Sequence, residues 1–407
     1  MMKPKHVAAF VFLALGAAAF AQQVRFDDVV RNLRNPDPEA RLSALSMLRE
    51  SRYLEAVEPI APLVNDPIDE VQLAAIDAEL SFYTVDDIGG RKRIAFIIEV
   101  RGSGRAETAF AAGPLAVWPR PVPLPLLASL LKAVDDDNAK VRSEAIYTFG
   151  AIAGRPVADE HAALLIKALD HYDSAIRRGA ARVLGRLEVA SAGAALITAI
   201  NDSEQSVRFA AMRALGQIRE EAAVQALTQQ LEHYRKGEGA WSALDGLARI
   251  GHPSSVPVFK ARLTDRDASI RAAAAEGLAR AGDASAVTAL EEAAGTDPAE
   301  TVRAAAAFAL QKLGRNYVTR LVEPLDSERM AQQIAGYFLE LGPSAAGELA
   351  SSLKDPSDAI RGNVAQILGA IGTQAEIALL EPLLQDRSPE VRRAAERAIQ
   401  RLKLRAA

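Results

Sequence analysis

The chain has 407 residues, an alanine-rich composition with 5% aromatic residues, no cysteine and a formal net charge of −4. Few aromatic residues and many alanines favour close helix packing over a bulky globular interior. The lack of cysteine excludes disulfides and thiol catalysis. The slightly acidic balance argues against nucleic acid as a partner, because proteins that bind it concentrate positive charge.

The first predicted element is a secretory signal at residues 1–21. Two lysines and a histidine precede the apolar run VAAFVFLALGAAAF, and the sequence AFA ends at Ala21, before Gln22. This order is typical of a signal with an A-x-A cleavage site. A membrane anchor is the alternative, but the run falls short of the roughly 20 residues that span a bilayer. We therefore expect cleavage after Ala21, a periplasmic or secreted location, and no transmembrane segment in the mature chain.

A recurring motif then extends to the C-terminus, so residues 22–407 are predicted to form one solenoid. NDSEQSVRFAAMRALGQI at 201, DRDASIRAAAAEGLARAG at 265 and DPSDAIRGNVAQILGAIG at 355 align with one another. One copy contains two apolar stripes at helical spacing: Val207, Ala210, Ala211, Ala214 and Leu215, then Val224, Leu227 and Leu231. Each unit is thus a predicted helix pair that buries its apolar face against neighbours. The expected fold is an all-α, right-handed solenoid of about ten to eleven units, with the second helices on its concave surface.

Most units carry an arginine near the start of the first helix and an aspartate six residues earlier. The arginine side chain leans over the first turn, where the helix dipole disfavours a cation, so it needs a carboxylate. A planar guanidinium can bridge aspartates and loop carbonyls of successive layers. The predicted structural ladder consists of Asp136, Arg142, Asp202, Arg208, Asp265, Arg271, Asp297, Arg303, Asp355, Arg361, Asp386 and Arg392. Glutamines replace the arginine at Gln72 and Gln332.

The motif D-x-x-x-x-[VI]-R followed by A-x-x-A-L-G-x-[IL]-G resembles the short repeats of the HEAT-repeat superfamily, including those of phycobilisome bilin lyases. The resemblance covers most of residues 35–403 and implies the fold, not an activity. Bilin-lyase activity is not expected, because the predicted signal directs the chain away from the compartment where phycobilisomes assemble. The His-Glu metal ligands of HEAT-type deoxyhypusine hydroxylase are also missing, since only the reversed Glu160-His161 and Glu232-His233 occur. No metal or cofactor is predicted.

A spacing of 70 residues between Gln72 and Arg142 indicates an insertion at about residues 84–122. RIAFIIEV and RAETAFAA flank the sequence GSG, which suggests a β-hairpin, although the first run is also compatible with a helix. After Trp118, alternating prolines predict a stiff extended strap that either docks a partner or fills the solenoid groove. The insertion is also locally basic, which suits an anionic ligand or merely solvated charges: Arg91, Lys92, Arg93, Arg101 and Arg105.

Two further departures from the repeat lie nearer the C-terminus. In HYRKGEGAWSALDGLARIG, Tyr234 and Ala240 replace the paired aspartate and arginine. Trp241 then either fills the space that the arginine vacates or forms an exposed interface. Residues 387–407 supply a last helix with a charged face, as expected of a C-terminal cap.

Mixed surface charge suits a protein or peptide partner, so the sequence predicts a non-catalytic exported scaffold or adaptor. Binding is expected through the solenoid groove and the inserted loop. The candidate binding residues outside the basic cluster are Trp118, Trp241, Lys260, Arg262 and Arg320. Two alternatives remain: an enzyme or enzyme subunit with a site between insertion and groove, and a structural component of the cell envelope.

Overall fold

The computed structural model describes residues 26–85 and 104–406, so the predicted signal at 1–21 lies outside the described residues. In this part of the chain the secondary structure is helical, with one isolated antiparallel bridge between Thr84 and Val117. The helices are α1 (Phe26–Asn32), α2 (Pro38–Ser51), α3 (Val57–Ile60), α4 (Asp69–Tyr83), α5 (Arg105–Ala112), α6 (Leu124–Lys132), α7 (Ala139–Ile152), α8 (Asp159–Lys167), α9 (Ser174–Arg186), α10 (Gly193–Ala199), α11 (Gln205–Gln217), α12 (Val224–Tyr234), α13 (Gly237–Ile250), α14 (Val256–Arg262), α15 (Ala268–Arg280), α16 (Val287–Thr296), α17 (Glu300–Lys312), α18 (Val318–Val322), α19 (Glu328–Leu341), α20 (Ala346–Ala350), α21 (Asp358–Ile371), α22 (Ile377–Leu380) and α23 (Pro389–Ala406).

Helix pairs stack in chain order, which confirms the predicted all-α solenoid. The first helices of the units are α2, α4, α7, α9, α11, α13, α15, α17, α19, α21 and α23, and each packs against the next. The predicted stripe of α11 is buried, including Val207, Ala211 and Leu215. No helix of the described residues is long and apolar enough to cross a membrane.

Small residues let the first helices approach one another closely near their C-terminal ends. A Cβ atom placed on Gly216 would lie 2.8 Å from the Cα of Gly246, and one on Gly369 would lie 2.6 Å from the Cα of Ala398. Contacts this short leave no room for a side chain. The glycine of the A-L-G motif therefore sets the spacing between layers.

The first helices, not the second, line the concave face. Arg280 of α15 pairs with Glu340 of α19 at 2.8 Å, and the Tyr337 hydroxyl of α19 donates to Glu276 of α15 at 2.7 Å. Both contacts bypass α17, and side chains two layers apart meet only on the inner side of a curved stack. The prediction that second helices form the concave face is therefore wrong.

The insertion contains helix α5, which packs against α7 through Ala106, Ala109 and Phe110. The amide of Ala106 donates to Glu144 of α7 at 2.9 Å. This carboxylate lies at the positive end of α5, where an anion is favourable. The prediction of a second hairpin strand is therefore wrong, because RAETAFAA is helical. The first predicted strand, RIAFIIEV at residues 93–100, lies outside the described residues.

One position of the first-helix core departs from the repeat. A leucine seven residues after the ladder position is buried in most layers: Leu48, Leu184, Leu215, Leu247, Leu278, Leu310 and Leu368. In α4 the same position holds Glu79, which is fully buried, and neither carboxylate oxygen has a hydrogen-bond partner in the described structure. Burial raises the pKa of Glu79 well above its usual value of 4.5, because a charge is costly in an apolar core.

We expect Glu79→Leu to raise the free energy of unfolding by about 1–3 kcal/mol at neutral pH, since it removes an unpaired polar group from the core. The gain should grow as the pH rises above 4.5. There the unfolded carboxyl ionises while the folded one keeps its proton, so the wild type loses stability. Urea unfolding at pH 5 and pH 8 measures both effects. Glu79→Gln serves as the control that removes titration but keeps polarity; an equal pH dependence in all three proteins would contradict the assignment.

Candidate binding surfaces

Arg361 shows how the ladder joins two layers. Its Nη1 donates to the carbonyl oxygens of Asp355 and Pro356 in its own loop, at 2.8 and 3.0 Å. Its Nε and Nη2 donate to the two carboxylate oxygens of Asp386 in the next layer, both at 2.8 Å. These bonds hold the pKa of Asp386 below its usual value. The Arg361 side chain thus stabilises the loop of its own layer and links that loop to the following layer.

Among the described residues, five layers join an arginine to an aspartate of the next layer: Arg41 with Asp66, Arg142 with Asp173, Arg177 with Asp202, Arg271 with Asp297 and Arg361 with Asp386. Arg177 and Arg271 bind both carboxylate oxygens as Arg361 does, whereas Arg41 and Arg142 reach the carboxylate through Nη2 alone. The other predicted members deviate. Arg208 donates to the Tyr234 hydroxyl at 2.7 Å, and Asp265 pairs at 3.0 Å with Arg262, the last residue of the preceding helix α14. Arg303 and Arg392 bind the carbonyl oxygens of their own loops.

The concave face carries an ionic network that the sequence analysis missed. Glu276, Arg280, Lys312 and Glu340 join α15, α17 and α19 through contacts of 2.8 to 3.2 Å. Burial opposes the charge of Arg280, but the two glutamates outweigh it and raise its pKa. The sequence signal for this network was a set of charged residues five, eight and nine positions after the ladder column, on first helices. The spacing of charged residues alone does not show whether they lie on the inner or the outer surface of the solenoid.

The insertion connects two distant parts of the solenoid. On one side, Glu107 of α5 pairs with Arg182 of α9. On the other, Arg401 of the last helix donates to the carbonyl oxygens of Pro114 and Leu115, at 3.1 and 2.9 Å. Burial lowers the pKa of Arg401 to about 10, so it remains a cation at neutral pH. The C-terminal helix is consequently also a docking element, since Arg401 on its charged face is engaged.

Trp118 belongs to this connection. Its amide donates to the Tyr83 carbonyl at 2.8 Å, and its side chain is 9% exposed. The guanidinium groups of Arg120 and Arg401 lie 5.8 and 5.9 Å from its ring centroid, within cation–π range. The strap therefore packs against the solenoid, and the tryptophan is covered in this arrangement.

The remaining predicted binding residues of the described part belong to several different helices. Trp241 is half-buried beneath Arg213, whose guanidinium is 5.5 Å from the ring centroid. Lys260, Arg262 and Arg320 belong to second helices and pair with Asp283, Asp265 and Glu323. Arg105 pairs with Asp77. Arg91, Lys92, Arg93 and Arg101 lie outside the described residues.

An acidic cleft opens where Gln72 takes the place of a ladder arginine. Its volume is 740 Å³, and α6, α8 and the loops before the first helices line it. Asp66, Asp135, Asp136 and Glu160 contribute carboxylates, whereas Lys132 is the one basic residue among the described residues of its lining. We call this region the Gln72 cleft. Its size is typical of a ligand site.

Carboxylates also cluster beside this cleft. Ligand oxygens of Asp69, Asp136 and Asp137 lie within 4.8 Å of one another. Asn138 donates to Asp69, and Gln72 donates to Asp136 at 2.8 Å. The two side-chain amides thus donate hydrogen bonds to some of the carboxylate oxygens of the cluster, and neither amide supplies a positive charge.

Comparison with known proteins agrees with this architecture. Residues 124–203, 162–238, 235–311 and 326–400 match the family described as HEAT repeats. The chain belongs to the HEAT-repeat family. This confirms the resemblance predicted from the recurring motif. A search of curated proteins finds no match.

Several solved structures are similar to the HEAT-repeat chain. The complex of CpcE and CpcF of phycocyanin lyase from Nostoc sp. PCC7120 shares 22% identity, covers 62% of this chain and 97% of that chain, and gives a TM-score of 0.41. Importin beta shares 14% identity over 93% of this chain and 57% of its own, with a TM-score of 0.43. Human deoxyhypusine hydroxylase shares 21% identity over 68% of this chain and 96% of its own, with a TM-score of 0.29. Similarity at this level concerns the fold alone.

Replacing Arg361 with alanine should destabilise the C-terminal repeats by about 3 kcal/mol, because it leaves the Asp386 carboxylate without its buried partner. Arg392→Ala is the matched control and should cost less, since Arg392 contacts only loop carbonyls. Urea unfolding with hydrogen exchange of α23 would measure the difference. The difference between the two variants should shrink as the pH falls below 3.8, the usual pKa of an aspartate. Asp386 is then protonated in the unfolded chain, while the folded wild type keeps it ionised to a lower pH and so loses stability. Equal losses for both variants would contradict an interlayer role.

Arg401→Ala should detach the strap from the last helix. We expect amide hydrogen exchange to accelerate in residues 114–123 and in α23, with little change in the middle repeats. Arg393→Ala is the control, because Arg393 is exposed and pairs only with Glu390 of its own helix among the contacts described. Unchanged exchange in the strap of Arg401→Ala would show that the connection does not depend on this arginine.

Proposed function

We propose that the protein is an exported scaffold that binds a protein or peptide partner through its concave face and its insertion. One observation carries the proposal: the concave face already holds a peptide segment, which is the chain's own insertion. Glu107 pairs with Arg182, and the Phe110 ring packs on Tyr147 with centroids 5.4 Å apart. A face that accommodates a helix of its own chain has the shape and charge to accept one from a partner.

Two further features support a partner of mixed charge. The concave face carries both signs, as in the network around Arg280, and the half-buried Trp241 lies on the first-helix row beneath Arg213. Aromatic residues flanked by arginine are typical anchors of protein interfaces. Export is proposed because residues 1–21 have the pattern of a cleavable signal, with an A-x-A site that ends at Ala21.

The test begins with the full chain carrying a C-terminal tag, expressed in its native cells. Cell fractionation and N-terminal sequencing should recover an exported protein that begins at Gln22. A full-length chain retained in the cytoplasm would contradict export.

The second step is affinity capture from native envelope extract. A specific partner should be captured by the wild type and lost with Trp241→Ala. It should persist with Arg320→Ala, a matched change at an exposed residue of the second-helix row. A variant with a Gly/Ser linker in place of residues 86–103 tests the insertion while preserving the packed part of it, including Phe110 and Trp118. If none of these proteins captures a partner, the scaffold proposal fails and a small-molecule or enzymatic role becomes the better hypothesis.

A further inference from the structure

The Gln72 cleft has no guanidinium at the position where five other layers have one. In the five layers with an arginine–aspartate pair, Nη1 of the arginine donates to the carbonyl oxygens of the residues six and five positions before it. Its Nη2, with or without Nε, donates to the aspartate of the next layer. At Gln72 those carbonyls belong to Asp66 and Pro67, and they accept no hydrogen bond from the described residues. The shorter amide reaches only Asp136.

The open space lies inside the cleft, because Asp66, Gln72 and Asp136 all line it. The lining also contains Asp135 and Glu160, whose side chains are 71% and 76% exposed. A cation entering here would meet two loop carbonyls and the carboxylates of Asp135, Asp136 and Glu160, since Asp66 is already paired with Arg41. Such an arrangement is complementary to a positive charge.

A buried histidine provides an independent indication of a ligand. His161 lines the same cleft, is 4% exposed, and makes no side-chain hydrogen bond within the described structure. Its nearest charged neighbour is Glu160, with Nε2 and Oε1 4.0 Å apart. Phe149 packs edge-on against the ring at 5.9 Å and fixes its orientation. An imidazole ring held in this way presents a ring nitrogen that can form a hydrogen bond with a ligand inside the cleft.

The chemistry of the other layers favours one occupant over the alternatives. Five times within residues 26–85 and 104–406, two loop carbonyls and an aspartate bind a guanidinium. Its planar set of donors matches them, whereas a lysine ammonium presents a point charge. The exposed Leu164 beside His161 adds apolar surface for the aliphatic part of an arginine side chain or for a flanking residue.

We propose that the Gln72 cleft binds an arginine side chain of a protein or peptide partner, which completes the ladder in trans. The guanidinium takes the place that Arg142, Arg271 and Arg361 fill in their own layers. The inference rests on the proposed scaffold function, and it adds a recognition site away from the concave face with a stated specificity.

The test uses the mature chain and a fluorescent peptide with a single arginine between leucines, in buffer containing EDTA. Fluorescence anisotropy gives the Kd. Replacing the arginine with citrulline keeps the shape and removes the charge, and should weaken binding about tenfold or more. Gln72→Arg should abolish binding, because the chain then supplies its own guanidinium. Its melting temperature should be equal to or above that of the wild type, which separates lost binding from lost folding.

The matched control is Gln229→Arg, which adds the same charge at an exposed position of α12 and should leave the Kd unchanged. Equal affinity for the arginine and citrulline peptides, or binding that survives Gln72→Arg, would overturn the proposal. So would calcium alone binding at the cleft in a titration without EDTA while the arginine peptide does not bind. If the cleft fails in this way but partner capture still depends on Trp241, the scaffold function stands. If the peptide binds as expected but no partner is captured, the cleft assignment stands and the concave-face proposal fails.

Discussion

The contact between a guanidinium and the aspartate of the next layer is the constraint on which the solenoid depends. A repeat of two short helices cannot bury its own apolar face, so each unit needs a fixed position relative to its neighbour. Arg361 provides that position because it binds two loop carbonyls of its own layer and both carboxylate oxygens of Asp386. The same aspartate accepts a hydrogen bond from the backbone amide of Ser388 at the start of α23. Loop geometry, helix start and layer spacing are thereby set together.

Close packing of the first helices follows from this spacing and gives the molecule its curvature. Glycines such as Gly216 and Gly369 allow neighbouring backbones to approach, so the first-helix row is the shorter one. Charged side chains then meet across two layers, as Arg280 and Glu340 do. The curvature also brings the last helix within reach of the insertion, where Arg401 contacts the strap. A local packing rule thus produces a contact between residues almost 290 positions apart in the chain.

The places where the array is irregular lie close to the surfaces that carry function in our proposals. Gln72 removes a cation from one layer and leaves an acidic cleft. The insertion follows directly after the same helix, and Glu79 introduces a carboxyl into the core of that helix. Three departures within α4 and its continuation distinguish this layer from the regular HEAT repeats after it. The regular layers form the rigid part of the solenoid, and the irregular layer carries the features that are specific to this protein.

The sequence alone determined the HEAT-repeat solenoid, because apolar spacing and the arginine–aspartate motif recur at nearly fixed intervals and depend on local geometry. It also showed where a glutamine or alanine replaces the ladder arginine, since this is visible in an alignment of the repeats. It did not show that Arg208 binds the Tyr234 hydroxyl or that Arg303 binds carbonyl oxygens of its own loop. Only the tertiary structure decided which helix row is concave, because both rows carry similar apolar stripes and the difference arises from curvature. The same holds for the helical form of RAETAFAA, which depends on contacts with Glu144 and α7, and for the burial of Trp118 beneath Arg401. Contacts between residues far apart in sequence leave no periodic signal in the chain, so the sequence could not reveal them.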